Sequence, residues 1–440
     1  MKRSQPLALL GLIATLTKRF VLLALLGLMA TQTADAQLAR NHYKFLGNIY
    51  ASSQMENWES YWNQVTPENA GKWGHVEANR DRMTWETLDE MYSWAKDRGY
   101  PLRFHVLVWG NQQPGWIATL SQQEQLEEIE EWFAAVAERY PDLDYVEVVN
   151  EPLHDPPNQN DAGGGFYYEA LGGAGSSGWD WVLNAFRMAE THFPNAKLLI
   201  NDYNILNSTS NVNRYLQLIG LLQAENLIDG IGVQAHAFTT VNASESTLQT
   251  NLDRLAATGL PIQVTELDID GASDRDQWLE YRRVFPVLWE HPGVIGITLW
   301  GWRPGMWRTQ QRAFLIDEQG QERFALRSWL RGYVAGTATS SDADPTAPAS
   351  HRLLGNYPNP FNPATTLHFE LAAPARVRLE VFDVTGRSVR VLVDDVRESG
   401  PQEASWDGRD RVGNTLPSGV YLARLSADSV VDTRALALIK

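Results

Sequence analysis

The 440-residue chain is too long for one ordinary domain, and its 44% hydrophobic and 20% charged residues are typical of a folded, soluble protein. This composition argues against a disordered chain and against a multi-span membrane protein. The 53 acidic and 37 basic side chains give a formal net charge of -16 with no dense basic patch, so nucleic acid is not expected as a partner. The 17 Trp and 15 Tyr favour flat surfaces for stacking sugars, with buried packing as the alternative.

The first 36 residues are expected to be a secretory signal. Two clusters of positive charge precede the apolar run 21–29, and a small-x-small pattern at 34–36 comes before the expected cut. A retained membrane anchor is the alternative, but the apolar run is short for a span. The chain has no cysteine, which is unusual for an exported protein, although a large core makes disulfides unnecessary.

Residues 37–334 are predicted to form a catalytic domain of the α/β class, a (β/α)8 TIM barrel. Short β-rich runs alternate with helical patterns, which favours parallel strands joined by right-handed crossovers. The eight predicted strands are 45–50, 64–67, 102–109, 145–151, 198–204, 230–236, 262–269 and 294–300. The clearest helical patterns are 84–98, 121–140, 211–225 and 273–289.

Beyond the barrel, residues 335–350 are small, polar and proline-containing, and are predicted to be a linker. Residues 351–440 show alternating runs, such as 376–382 and 420–425, between glycine-rich turns. These features predict a small all-β sandwich without a catalytic constellation.

Polar and aromatic residues collect where the predicted barrel strands end, which is the end that carries function in this fold. Glu151 and Glu266 each follow an apolar run, on the fourth and seventh strands. Hydrolysis of a glycosidic bond with retention requires a protonated and an ionised carboxyl about 5–5.5 Å apart. A single strand-end glutamate is often a cap or an ion-pair partner, whereas this pair, accompanied by Asn150, Gln234 and His236, favours catalysis.

Seven segments of the barrel carry a recognisable pattern: VTPENAGKW (65–73), HVLVWGNQQPGW (105–116), VVNEPL (148–153), NDYN (201–204), DGIGVQAH (229–236), VTELDI (264–269) and the Trp-Gly of LWGW (299–302). Through these segments nearly the whole barrel resembles glycoside hydrolase family 10. The resemblance implies a retaining endo-1,4-β-xylanase that acts on xylan and xylo-oligosaccharides.

The resemblance also implies roles for individual residues. Glu151 looks like the acid/base with Gln234 near it, and Glu266 looks like the nucleophile, oriented by His236. Asn150 is expected to contact the sugar 2-hydroxyl in the -1 subsite. The implied glycone-side set is Glu68, Asn69, Lys72, His105, Trp109 and Gln112. Trp300 and Trp307 are expected to wall the -1 sugar, and Tyr203 to lie on the aglycone side.

Several of these residues have simpler interpretations. The alternatives are a solvated cation for Lys72, core packing for Trp109 and Trp300, and a satisfied buried histidine for His105. The chain also departs from the family, because Gly110 stands where a histidine is usual, and the loop 300–307 with Trp302, Arg303 and Arg308 is about one residue short. Both departures are expected to affect substrate binding, with extra room beside Gly110.

The tail closely resembles the C-terminal sorting domain of type IX secretion substrates, through LLGNYPNPFNPATTLHFEL (353–371), VFDVTGR (381–387) and LPSGVYLARL (416–425). The resemblance implies interaction with that secretion machinery and a secreted or cell-surface location. Composition alone also allows a carbohydrate-binding sandwich, although the only tail tryptophan is Trp406.

Two other functions remain open at this stage, a barrel active on cellulose or mixed-linkage glucan and a non-catalytic polysaccharide-binding protein. No catalytic metal or organic cofactor is predicted, because the chain lacks cysteine and its histidines show no HExxH spacing. The sequence leaves a structural calcium open.

Overall fold

The computed structural model describes residues 37–40, 42–158, 167–335, 351–428 and 430–439. The predicted signal segment 1–36 and residues 336–350 of the predicted linker lie outside this range, so their boundaries remain predictions. Among the described helices, none combines the length and apolarity needed to cross a membrane.

Eight parallel strands form the barrel, which confirms the predicted fold class. Their bounds are β1 Phe45–Tyr50, β2 Val65–Pro67, β3 Arg103–Phe104, β4 Tyr145–Asn150, β5 Lys197–Asn201, β6 Gly230–Val233, β7 Ile262–Leu267 and β8 Val294–Leu299. Hydrogen bonding runs in the order β2-β1-β8-β7-β6-β5-β4-β3. The two ends of this series meet because Val65 N donates to Pro101 O at 3.0 Å and Val65 bridges Leu102 in parallel.

The third strand is much shorter than the predicted 102–109. Regular pairing stops after Phe104 and resumes only where Leu107 N and Val108 N donate to Glu147 O and Val148 O. Strand propensity was therefore a fair guide to the path of the chain, but not to where its hydrogen bonds form.

Six long helices cover the barrel, and four of them begin at a serine whose hydroxyl accepts a bond from the first turn (Ser121, Ser208, Ser244 and Ser273). The long helices are α1 Glu86–Asp97, α2 Gln122–Arg139, α3 Asp180–His192, α4 Thr209–Ala224, α5 Glu245–Ala256 and α6 Asp274–Trp289. Shorter turns of helix are Ser52–Gln54, Trp58–Ser60, Trp73–Val76, Gly115–Thr119, Ala237–Thr240, Leu326–Leu330 and Arg331–Val334.

The tail forms two antiparallel sheets that share one core. Its strands are β9 Arg352–Tyr357, β10 Thr365–Leu371, β11 Ala375–Asp383, β12 Ser388–Arg397, β13 Gly400–Trp406, β14 Gly419–Ala427 and β15 Val430–Leu438. Leu367 and Phe369 of the three-stranded sheet join Val377 and Leu425 of the four-stranded sheet in one buried cluster. Trp406 is 1% exposed and belongs to this cluster, so its ring offers no platform for a sugar.

The tail contacts the barrel on α6, away from the mouth of the barrel. A Cβ built at Gly400 would lie 3.5 Å from the ring of Trp278, and Leu354 packs against the barrel core. None of the tail residues that the structure describes lines the cleft presented below.

Candidate active site

A cleft of about 410 Å³ opens at the carboxyl ends of the barrel strands. All fourteen residues singled out from the sequence line it, together with Asn111, Asp155 and Phe238, which were not predicted. The fold brings these residues together because parallel strands end at one rim of the barrel.

Glu151 directly follows β4 and has a left-handed backbone, with φ of 56°. Its N–H donates to Asn201 O at 2.8 Å, which holds this strained turn against β5. Its carboxyl oxygens accept from Trp109 Nε1 at 2.8 Å and from Gln234 Nε2 at 2.6 Å. Both oxygens are therefore fixed from two sides of the cleft.

The environment of Glu151 favours its protonated form. Burial raises the pKa of Glu151 well above its ordinary value, and the Gln234 hydrogen bond only partly opposes this rise. A hydrogen bond with the Asp155 carboxyl and the nearby charges of Asp202 and Glu266 raise the pKa further.

Glu266 lies inside β7, and its environment has the opposite effect. Burial by itself would raise its pKa, but the His236 hydrogen bond and the charges of His105, His236 and Arg103 lower the pKa to about 2. Its carboxylate accepts from Asn201 Nδ2 at 2.8 Å and lies 3.3 Å from His236 Nε2. Glu266 is therefore ionised at neutral pH.

Asp268 explains why His236 is charged, and sequence reasoning missed it. His236 Nδ1 lies 2.7 Å from Asp268 Oδ2. Burial lowers the pKa of His236, but the charge of Asp268 and its hydrogen bond, with help from Glu266, raise the pKa to about 10. Asp268 Oδ2 also accepts from Trp307 Nε1 at 3.0 Å. The signal was its position two residues after Glu266, directly beyond the end of β7.

A continuous set of amide hydrogen bonds joins the two glutamates. Gln234 bonds Glu151 and also donates to Asn150 Oδ1 at 3.3 Å. Asn201 bonds Glu266 and also donates to Asn150 Oδ1 at 3.1 Å. Its oxygen accepts both bonds, so the Nδ2 group of Asn150 is the donor left for a sugar hydroxyl, and that contact stays a prediction.

Beneath the cleft, a buried ion pair supplies positive charge to the site. The Arg103 guanidinium is fully buried and lies 3.1 Å from Glu147, while its Nη2 donates to Thr265 O at 2.7 Å. His105 Nδ1 contacts Glu147 at 3.0 Å, so His105 is a satisfied buried histidine as well as a residue of the cleft wall.

On the side that the family resemblance assigns to the glycone, Lys72 is 6% exposed and not a solvated cation. Its Nζ donates to Asn69 Oδ1 at 2.9 Å and Gln112 Oε1 at 2.5 Å, and lies 5.1 Å from the centre of the Trp109 ring. Burial raises the pKa of Glu68, which lies partly exposed at the same wall. Trp109 also remains partly exposed, so it is not merely core packing.

Aromatic side chains line the opposite side of the cleft. Trp307 and Phe238 are about half exposed, with ring centres 6.2 Å apart, and Tyr203 lies 6.1 Å from Phe238. Trp300 is largely buried and packs edge-on against His105 at 5.2 Å. The sequence signal for Phe238 was weak, because it lies in a short helical turn after His236 and not at a strand end.

The expected room beside Gly110 does not exist. A Cβ built there would lie 2.2 Å from Asp155 O and 2.5 Å from Pro156 O, so backbone already fills the space. Within the short loop 300–307, Trp302 and Arg303 do not line the cleft. Trp302 is fully buried in the barrel wall, and Arg303 pairs with Glu56 at 2.9 Å.

Arg308 does reach the cleft rim. Its guanidinium pairs with Asp270 at 2.5 Å and lies 5.2 Å from the centre of the Trp307 ring. This ion pair backs one aromatic wall of the cleft.

Two acidic groups among the described residues bring ligand-type atoms within 4.8 Å of one another. In the first group, His105, Glu147 and Glu266 are already engaged by Arg103 and His236. In the second group, which comprises Glu77, Asp81 and Glu128, Arg80 pairs with Glu128. Glu77 of the second group also accepts from Trp73 Nε1 at 2.8 Å, so ligand-type atoms of both groups are already engaged by protein side chains.

Comparison with known proteins places the barrel and the tail in different groups. Residues 26–331 match glycosyl hydrolase family 10, and residues 359–430 match the FlgD Ig-like domain. The chain is 36% identical over 297 residues to endo-1,4-beta-xylanase B of Cellvibrio japonicus, a match that covers 66% of this chain and 46% of that protein.

Two further relatives are covered almost completely. The chain is 31% identical over 289 residues to endo-1,4-beta-xylanase A of Fusarium oxysporum f. sp. lycopersici, covering 60% of this chain and 86% of that protein. The structure of xylanase 10B from Thermotoga petrophila RKU-1, in complex with xylobiose, superposes with a TM-score of 0.58 at 25% identity, covering 68% of this chain and 97% of that one.

Proposed function

The chain belongs to glycosyl hydrolase family 10 and is a glycoside hydrolase of the endo-1,4-β-xylanase type, and on that premise we propose that it cleaves internal bonds of xylan with retention of configuration. Glu151 is the proposed acid/base and Glu266 the proposed nucleophile. Xylo-oligosaccharides are the proposed short substrates, which the xylobiose bound to the Thermotoga petrophila relative supports.

The observation that carries this proposal is the opposite shift of the pKa values of two glutamates in one cleft. The pKa of Glu151 is raised well above its ordinary value and that of Glu266 is lowered to about 2, so Glu151 keeps its proton to much higher pH than Glu266 does. A pair of carboxyl groups whose environments separate their pKa values in this way is typical of an acid/base and nucleophile pair.

In the first step, the Glu266 carboxylate attacks the anomeric carbon while Glu151 gives its proton to the glycosidic oxygen. The bond to the leaving chain breaks and a glycosyl ester on Glu266 forms. In the second step, Glu151 takes a proton from water, the water oxygen attacks the anomeric carbon, and Glu266 leaves as a carboxylate. Two inversions at one carbon retain its configuration.

Replacement of each glutamate separates the two roles. Glu151→Ala should lose roughly 10² to 10⁴ in turnover on xylan. The same variant should still form the glycosyl-enzyme from an aryl glycoside with a very acidic phenol, because that leaving group needs no proton. Azide should then speed its release and give the β-glycosyl azide. Glu266→Ala should be nearly inactive on both substrates and should give at most the α-azide.

Three results would contradict this assignment. If Glu266→Ala is the variant that spares the activated aryl substrate, the two roles are exchanged. If both variants hydrolyse xylan normally, the site lies elsewhere. If the wild-type protein releases sugar from carboxymethylcellulose but not from xylan, or binds polysaccharide without releasing reducing sugar, the substrate or the activity is wrong.

We further propose that residues 1–36 direct export and that the tail is a type IX sorting domain, which places the enzyme outside the cell or on its surface. The tail motifs, the two-sheet fold and the match to an Ig-like domain support a β-module with a role other than catalysis. In a host with type IX machinery, the full chain should reach the surface or medium, and a chain that ends at residue 350 should stay in the periplasm. Equal export of both would contradict the sorting role.

A further inference from the structure

The loop that follows Glu151 is hydrogen-bonded to the segment that follows the third strand, at Gly110. Asp155 N donates to Glu151 O at 2.8 Å, and Asp155 O accepts from Gly110 N at 3.0 Å. The carbonyl oxygens of Asp155 and Pro156 occupy the space that a side chain at Gly110 would need. The position of this loop therefore depends on glycine at 110.

This position of the loop places a third carboxyl group, that of Asp155, in the cleft with Glu151 and Glu266. The Asp155 side chain lines the cleft with Glu151 and is one of the groups that raise the pKa of Glu151. A carboxyl group beside another carboxyl group disfavours the ionised form of its neighbour. Within the part of the chain that the structure describes, no basic side chain forms an ion pair with Asp155.

We propose that Asp155 is a positioning residue for the acid step, which helps to keep the proton on Glu151 until the glycosidic oxygen accepts it. Trp109 and Gln234 fix the two Glu151 oxygens, and Asp155 adds to the effect of burial in favouring the protonated glutamate. This inference rests on the proposed function, because it concerns the same acid/base.

Other groups around Glu151 act differently. Asp202 and Glu266 repel its negative charge without a direct hydrogen bond, and Tyr203 faces it as a neutral phenol. Lys72 is the nearby cation, but its Nζ is bonded to amide oxygens. Among these acidic neighbours, Asp155 is therefore the one whose removal should lower the pKa of Glu151 most directly.

The test is the pH profile of kcat/KM on xylotetraose for Asp155→Asn, with Asp142→Asn as the matched control. Asp142 is exposed and far from the cleft in the fold. The alkaline limb reports loss of the Glu151 proton. An asparagine amide stabilises the carboxylate of Glu151 and so lowers its pKa. The limb of Asp155→Asn should therefore move to lower pH by about one unit, whereas that of the control should not move.

A second substrate separates this role from a structural one. On an aryl xylobioside with a very acidic phenol, formation of the glycosyl-enzyme needs no proton from Glu151. The kcat/KM of Asp155→Asn on this substrate should therefore stay within about threefold of the wild-type value. Asp155→Glu retains a carboxyl group, so its alkaline limb should lie close to the wild-type position. Asp155→Ser gives a second measurement of the limb if the asparagine variant does not fold.

The outcomes are distinct. An alkaline limb that does not move, or equal losses on both substrates at every pH, would overturn the role of Asp155 and leave the xylanase proposal standing. A limb that moves equally in Asp155→Glu and Asp155→Asn would also overturn it. Absence of wild-type hydrolysis of xylotetraose would instead refute the proposed function itself.

Discussion

Replacement of Gly110 by alanine should lower both stability and catalysis. The new Cβ would lie 2.2 Å from Asp155 O, 2.5 Å from Pro156 O and 2.7 Å from Pro156 C. Ordinary van der Waals contact begins at 3.4 Å, so the loop must retreat by roughly 1 Å. All three atoms belong to the backbone, and no change of rotamer relieves the overlap.

The size of the effect follows from this displacement. Overpacking of this kind lowers the free energy of unfolding by about 1–3 kcal/mol. Alanine also restricts the unfolded chain more than glycine does, which offsets about 0.4–1 kcal/mol of that loss. A net loss of about 1–2 kcal/mol should lower Tm by roughly 2–8 °C in a domain of this size. Catalysis should fall by at least about tenfold, because a 1 Å misplacement near reacting groups costs on the order of 10²-fold.

The assay is thermal unfolding together with kcat/KM on xylan for Gly110→Ala, with Gly115→Ala as control. At Gly115 a Cβ meets nothing within 4 Å, so the same substitution there should be nearly neutral. Gly110→His should be worse than alanine and should not merely alter the product pattern. If Gly110→Ala matches Gly115→Ala in both Tm and kcat/KM, the loop is not seated as described.

Three other changes are expected to have defined effects. Residues 37–335 alone should retain kcat/KM on xylan within about twofold, because the tail supplies no cleft residue, and near-total loss in a folded sample would contradict this separation. His236→Asn removes a charge that lowers the pKa of Glu266, so that pKa should rise from about 2. The acid limb of the pH profile of kcat/KM should therefore move to higher pH by about one unit or more. An unmoved limb would show that His236 does not control the ionisation of Glu266. Arg103→Met removes the guanidinium that pairs with the fully buried Glu147 carboxylate and should cost about 3–5 kcal/mol in urea unfolding. Arg98→Met breaks an exposed pair and should cost about 0–1 kcal/mol, and equal losses would refute the distinction.

Local patterns were sufficient to predict the barrel. The alternation of strand and helix gave eight strands close to those observed, with β1 at residues 45–50 in both. The third strand was predicted too long, because its hydrogen bonds depend on β4 and not on its own side chains. The tail sandwich was likewise predictable from period-two alternation between glycine-rich turns.

The sequence was sufficient to predict which residues form the candidate site, but not whether each carboxyl group is ionised. Strand-end positions and family motifs identified fourteen residues, and all fourteen line one cleft. That Glu266 is ionised follows from His236 and from Asp268, whose importance was not recognised in the sequence. Asn201, which links Glu266 to Asn150, was noted only as part of a strand-end cluster.

The sequence by itself determined the fold class, the rim where the chemistry lies and the pair of glutamates, because these depend on periodicity and on the order of residues along each strand. Only the tertiary structure decided what surrounds each position. Gly110 suggested open space in the sequence, yet the Asp155–Pro156 backbone, some 45 residues later, fills it. Which volume is occupied, and which carboxyl keeps its proton, are properties of groups that approach from distant parts of the chain, and no local pattern encodes that approach.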